Sequence, residues 1–86
     1  MSGQDLFEQL RERTEYLDRA LKDMRRHGIR YGNAEHKYRQ AMTVEMLRHR
    51  ADGMPVTILR DVCLGLKEIS DLRLERDIAE AEYKAA

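Results

Sequence analysis

The feature that most constrains the fold is an apolar repeat in alternating steps of three and four residues, which runs without a slip from Phe7 to Met42. No proline interrupts the chain before Pro55. A repeat of this kind is typical of a helix that carries one apolar stripe along its length. The sequence therefore predicts a long helix over about residues 5–50. The first half of its stripe consists of Phe7, Leu10, Thr14, Leu17, Leu21 and Met24.

Two glycines, Gly28 and Gly32, leave an alternative open. Each costs about 1 kcal/mol in a helix interior, so the chain could instead turn near residues 28–32 and close into a three-helix bundle. We favour the continuous helix, because the 3–4 repeat passes through Tyr31 and Tyr38 unchanged. In a continuous helix, we expect the glycines to allow close approach of another backbone.

The ends of the long helix have clear signals. Ser2 followed by Asp5 predicts an N-cap, with the acidic residue where the helix dipole favours it. Gly53 suits the left-handed position after a helix, and Pro55 prevents continuation. The helix is therefore expected to stop before residue 53.

The rest of the chain predicts a short corner helix over residues 57–64, capped by Thr57 and ended by Gly65, and a return helix over about residues 66–86. Projection at 100° per residue gives the return helix two opposite apolar faces. The fold class is therefore all-α, a single helical domain of residues 1–86 that forms an antiparallel helical hairpin. The first face of the return helix holds Ile69, Leu72, Ala79 and Tyr83, and the second holds Leu74, Ile78, Ala81 and Ala85.

Helix lengths indicate that this hairpin cannot bury all of its apolar surface. The long helix would span roughly 69 Å and the return helix roughly 32 Å. One cysteine, Cys63, cannot form an intrachain disulfide, which leaves oligomerisation as the means of completing the core. We therefore expect a homo-oligomer, a dimer or higher. The predicted interface consists of Phe7, Leu10, Leu17, Leu21, Met24, Leu74, Ile78 and Ala81.

The charge balance argues against general electrostatic binding of the chain to nucleic acid. Sixteen basic and sixteen acidic residues give a net charge of zero, whereas phosphate binding needs a basic surface. Residues 1–50 are net basic and residues 51–86 net acidic, which suits two segments that lie against each other. The alternative hypothesis is a nucleic-acid-binding accessory protein. It would use two arginine clusters, Arg25, Arg26 and Arg30 in the first and Arg48 and Arg50 in the second.

No motif indicates catalysis, a cofactor or a metal site. The three histidines are nine and thirteen residues apart, so no two lie on one helix turn as helical metal ligands do. Cys63 stands between Val62 and Leu64 and is expected to be a buried core residue. We interpret the chain as a non-enzyme without a cofactor. It also has no apolar run long enough for a signal peptide or membrane span, which predicts a cytoplasmic protein with no membrane partner.

From Tyr38 onward, the sequence resembles small helical proteins of phages and prophages of Gram-positive bacteria, similar to one of a Listeria phage. The matching segments are the corner Asp52-Gly53-Met54-Pro55-Val56-Thr57 and the run Arg76-Asp77-x-Ala79-Glu80-Ala81. The resemblance implies a helical phage protein of the bacterial host cell, without an assigned activity. Proteins of this kind are often encoded near genes for DNA recombination or single-strand binding. The uncovered apolar faces and the missing active site lead to our hypothesis that the chain is an adaptor in a DNA recombination or replication module, with a phage or host protein as partner.

Overall fold

The first helix, α1, spans Gly3–Ala51 in the computed structural model, which describes residues 2–86. Ser2 is its N-cap: the backbone is extended there, and the side-chain Oγ accepts a hydrogen bond of 3.2 Å from the Asp5 amide. The helix continues through Gly28 and Gly32 without interruption. Of the two alternatives for this region, the structure therefore has the continuous helix.

The end of α1 explains why the chain turns where it does. Gly53 has φ +96°, a left-handed conformation that is accessible to glycine at little cost. The Gly53 amide donates to the Arg50 carbonyl at 3.1 Å, and the Met54 amide donates to the His49 carbonyl at 3.0 Å. These two bonds satisfy carbonyls that the end of a helix otherwise leaves without partners. The predicted helix stop is confirmed.

Two short turns place the remaining helices, α2 at Val56–Leu64 and α3 at Lys67–Ala85. The predicted cap at Thr57 is wrong. The N-cap of α2 is Pro55, whose carbonyl accepts from the Ile58 amide at 3.3 Å, so Thr57 already lies inside the first turn. Gly65 ends α2 as predicted, with a right-handed φ of −80°.

A small core holds the hairpin together where α1, α2 and α3 meet. Cys63 and Ile69 are completely buried, and Tyr38 and Met42 of α1 pack with them and with Leu59. The expectation that Cys63 is a core residue is confirmed. Farther along the hairpin, Ala79 of α3 is also buried. These residues lie on the apolar stripe of α1, on the first apolar face of α3 and on the buried face of α2.

The hairpin covers only part of α1. The last turn of α3 reaches the level of Gly28, where the Tyr83 ring lies, and residues 3–25 of α1 are exposed throughout. The molecule measures 77 × 17 × 15 Å and its radius of gyration is 21.8 Å, against about 12 Å for a compact chain of this length. Residues 2–86 contain no strand, and the all-α hairpin is confirmed. Met1, the first residue of the predicted domain, lies outside the described residues.

Candidate interaction surfaces

The projecting part of α1 carries the apolar stripe predicted from the repeat, which we call the N-terminal seam. Its large side chains are exposed, with 66% of Phe7 and 62% of Leu21 accessible to solvent. Farther along the same register, Tyr38 and Met42 are buried under the other helices. One stripe is therefore covered in its second half and open in its first. The seam consists of Phe7, Leu10, Thr14, Leu17, Leu21 and Met24.

Tyr83 of α3 marks the boundary between the covered and the open parts of the stripe. Its ring lies 6.1 Å from the Tyr31 ring, centroid to centroid, and packs over Gly28. A Cβ atom on Gly28 would lie 3.2 Å from Tyr83 Cε1, whereas one on Gly32 would meet nothing within 4 Å. The expectation that both glycines admit another backbone is therefore wrong. Gly28 makes room for a side-chain ring, and Gly32 faces open space.

A groove opens at this boundary and continues onto the seam. Its floor consists of five α1 residues, four of them at positions i, i+3, i+4 and i+7, and the Tyr83 ring closes one end. In coiled coils, four residues with this spacing form the hole that receives one apolar side chain from a facing helix. The groove thus has the local geometry of a helix-binding site. The four residues with this spacing are Leu21, Met24, Arg25 and Gly28, and the fifth floor residue is Ile29.

The return helix α3 has the two faces that its sequence predicts. Ile69 and Ala79 are buried against the rest of the hairpin. Leu74, Ile78 and Ala81 of the second face are exposed, with 59% of Leu74 and 48% of Ile78 accessible to solvent. We call these last three residues the outer α3 face. Their use as an oligomer interface stays a prediction.

Charges help to hold α3 against α1. The Arg30 guanidinium of the net basic half donates to a Glu82 carboxylate oxygen of the net acidic half at 3.0 Å. Arg76 of α3 lies over the Tyr38 ring, 4.6 Å from the centroid, and a hydrogen bond to Asp77 raises its pKa above the ordinary value. A guanidinium that stays charged keeps its attraction to the ring. Among the described residues, one ion pair between the oppositely charged halves, Arg30–Glu82, therefore crosses the hairpin.

The five arginines of the nucleic-acid hypothesis do not converge on one surface. Arg26 pairs with Asp23 at 2.8 Å, and Arg30 is engaged with α3 as described. Arg48 pairs with Glu45 at 3.1 Å, and Arg50 donates to the Met54 carbonyl at 3.0 Å in the corner. Arg25 lies in the floor of the seam groove. Their contacts are therefore spread over the seam, the hairpin interface and the corner.

The groups that carry chemistry are dispersed or buried. Cys63 is completely buried in the core. His49 Nδ1 lies 2.8 Å from the Glu45 carbonyl oxygen and 3.6 Å from a Glu45 carboxylate oxygen. Within residues 2–86, no three His, Cys, Asp or Glu side chains come close enough to hold a metal ion. None of the three helices is long and apolar enough to cross a membrane, among the residues described.

Sequence reasoning missed two further exposed apolar groups. Leu6 and Tyr16 flank the seam and are 51% and 65% exposed. On α2, three apolar side chains face solvent although the helix is only nine residues long. The composition of α2 could have predicted this exposure. Six of its nine residues are apolar, which is more than one buried face of a short helix can hold. The three exposed α2 residues are Val56, Ile58 and Val62.

Comparison with known proteins adds no further constraint on these surfaces. No family model, curated protein or solved structure matches the chain.

Proposed function

We propose that this protein is a non-enzymatic helical interaction protein, an adaptor that binds its partners through the N-terminal seam and the outer α3 face. The observation that carries the proposal is the open first half of an uninterrupted heptad stripe, on a helix that projects roughly 33 Å beyond the hairpin. Single exposed apolar side chains are normal on protein surfaces, but a contiguous stripe indicates a binding surface.

The energetics favour a covered seam. Burial of one large apolar side chain contributes about 1.5–3 kcal/mol, and the seam holds five. A helix that no other element covers has only its own marginal stability in water. A facing helix would therefore stabilise residues 3–25 as well as bind to them. The seam and the outer α3 face belong to different helices, which is what an adaptor with more than one partner requires.

The proposed setting is a phage or prophage module for DNA recombination or replication in the cytoplasm of a bacterial host. This part of the proposal is supported by the resemblance of residues 38–86 to phage proteins. The adaptor would bind a phage or host protein of that module rather than the DNA itself. Ion pairing of Arg26, Arg30 and Arg48 within the chain favours a protein partner over nucleic acid.

Affinity purification from host lysate with matched variants tests this function. Leu17→Glu introduces a charge into the seam, Leu74→Glu does so on the outer α3 face, and Leu47→Glu is the control. Leu47 is as exposed as the first two, at 66%, but it lies on the side of α1 opposite to the buried register. We expect the wild type and the Leu47→Glu control to capture at least one protein from the lysate. The Leu17→Glu or the Leu74→Glu variant should fail to capture that protein. Identical sets from all variants, or nothing beyond the bait, would contradict the proposal.

A further inference from the structure

We propose that the occupant of the N-terminal seam is a second copy of this chain, bound antiparallel about a two-fold axis that passes between Glu15 and Tyr16. This inference deepens the proposed function and rests on it, because it names the partner of the same surface. A two-fold axis makes the seam its own complement, which is the commonest arrangement in soluble homo-oligomers. Orientation, charge and register each support it independently.

The orientation follows from the position of α3. Tyr83 packs on Gly28 and Tyr31, so α3 occupies the stripe from the level of Gly28 onward. A parallel second α1 that covered the seam would continue past Gly28 for more than twenty residues, into the space that α3 fills. An antiparallel second α1 runs out past the N-terminal end of the first, where α3 does not reach. The hairpin itself therefore selects the antiparallel arrangement.

The charge distribution along α1 favours the same arrangement. Residues 3–18 contain five acidic and two basic side chains, and residues 19–30 contain five basic and one acidic. Antiparallel pairing places the acidic stretch of each copy beside the basic stretch of the other. Parallel pairing places like charges together, which is unfavourable.

One antiparallel register pairs every residue of the seam. The 3–4 spacing is symmetric about the axis, so Phe7 meets Met24, Leu10 meets Leu21, and Thr14 meets Leu17 of the other copy. In this register, Phe7 of the second copy lies over the groove floored by Met24 and closed by Tyr83. Knobs-into-holes packing places an a or d side chain in such a hole, and Phe7 is the residue that this register supplies. The second helix also begins at the level where α3 ends, so the stripe is covered from Phe7 to Met42.

Cross-linking of mixed variants tests the orientation and the register. One chain carries Leu10→Cys and another Leu21→Cys; the two are unfolded together, refolded and treated with a short bis-maleimide. In the proposed dimer, residues 10 and 21 of different copies are adjacent, whereas two copies of residue 10 lie roughly 16 Å apart along the axis. We expect cross-linked dimer from the mixture and almost none from either variant alone. The wild type is the control for Cys63, which is completely buried.

The other outcomes separate this inference from the function on which it rests. Cross-linking within each single variant would show a parallel dimer, and a dimer without mixed cross-links would show another register or an interface on the outer α3 face; each of these results overturns the inference alone. Chains that stay monomeric overturn self-association, while variant-dependent capture of another protein would still support the adaptor function.

Small-angle X-ray scattering of the unmodified chain is a second test of the antiparallel arrangement, and it needs no variant. Two rods of 77 Å that overlap antiparallel over residues 3–28 have a maximum dimension of roughly 115 Å. A parallel side-by-side dimer would stay near the length of one rod. A particle of dimer mass with that shorter dimension would overturn the antiparallel arrangement.

Discussion

Gly28 and Gly32 form a matched pair on which the packing of α3 can be tested. Both lie in the interior of α1, four residues apart, and both lack a side chain that would favour the helix. They differ in their surroundings. An added Cβ meets nothing at Gly32, whereas at Gly28 it comes within 3.2 Å of Tyr83 Cε1 and 3.5 Å of Tyr83 Cζ.

The two alanine substitutions should therefore stabilise the protein to different extents. Gly32→Ala gains helix propensity alone, about 1 kcal/mol, which corresponds to a rise in Tm of about 4–8 °C for a domain of this size. Gly28→Ala gains the same propensity but pushes the Tyr83 ring away by a few tenths of an ångström. An aromatic pair such as Tyr31 and Tyr83 is worth about 0.5–1.5 kcal/mol, so a partial loss cancels much of the gain. We therefore expect Gly28→Ala to stabilise the protein clearly less than Gly32→Ala, by about half as much or less.

Urea unfolding followed by far-UV circular dichroism, at one fixed protein concentration, measures both free energies of unfolding. A double-mutant cycle with Tyr83→Ala then isolates the cause, since without the ring Gly28→Ala should stabilise as much as Gly32→Ala. The reasoning is refuted if Gly28→Ala stabilises the wild type as much as Gly32→Ala does. It is equally refuted if removal of the Tyr83 ring leaves the effect of Gly28→Ala unchanged.

The same unfolding assay checks three further substitutions, and a salt titration checks DNA binding. Ile69→Ala removes a completely buried side chain and should destabilise the hairpin by about 2–5 kcal/mol; a loss under about 1 kcal/mol would contradict the assigned core. Gly53→Ala, at φ +96°, should lower stability by about 1–2 kcal/mol, and an unchanged midpoint would argue against the left-handed turn. Arg30→Ala breaks an exposed ion pair with Glu82 and should cost less than about 1 kcal/mol, with a larger loss indicating a role beyond the surface pair. Labelled single- and double-stranded DNA should not bind at low salt, where phosphate contacts are strongest; tight, salt-sensitive binding would favour the nucleic-acid hypothesis.

Much of the fold follows from local sequence signals. The bounds of α1 could be predicted from the 3–4 repeat, the absence of proline and the stop at Gly53–Pro55. The predicted range of residues 5–50 differs from the observed Gly3–Ala51 by two residues at the N-terminus and one at the C-terminus. The two faces of α3 follow from projection at 100° per residue. These features are local, because backbone hydrogen bonds and side-chain periodicity within one segment decide them. The helix also continues through Gly28 and Gly32, and this feature is not local, because burial of Tyr38 and Met42 in the same register offsets the propensity cost of the two glycines.

Features that depend on tertiary packing did not follow from the sequence. The N-cap of α2 is Pro55 rather than Thr57, and α2 packs on the core through Leu59 and Cys63. Gly28 lies in the 3–4 repeat and Gly32 does not, but the sequence does not show that the Tyr83 ring packs over Gly28. The seam itself could be predicted, because helix lengths alone leave it uncovered. The groove at its inner end could not, since Tyr83 comes from a segment more than fifty residues away.

Sedimentation equilibrium over a range of micromolar concentrations tests most directly whether the N-terminal seam binds a second copy. We expect the wild type and Leu47→Glu to approach twice the chain mass of 10.2 kDa as concentration rises, and Leu17→Glu to stay at the mass of one chain. A wild type that remains a 10.2 kDa monomer throughout, or a Leu17→Glu variant that dimerises as well as the control, would contradict the account.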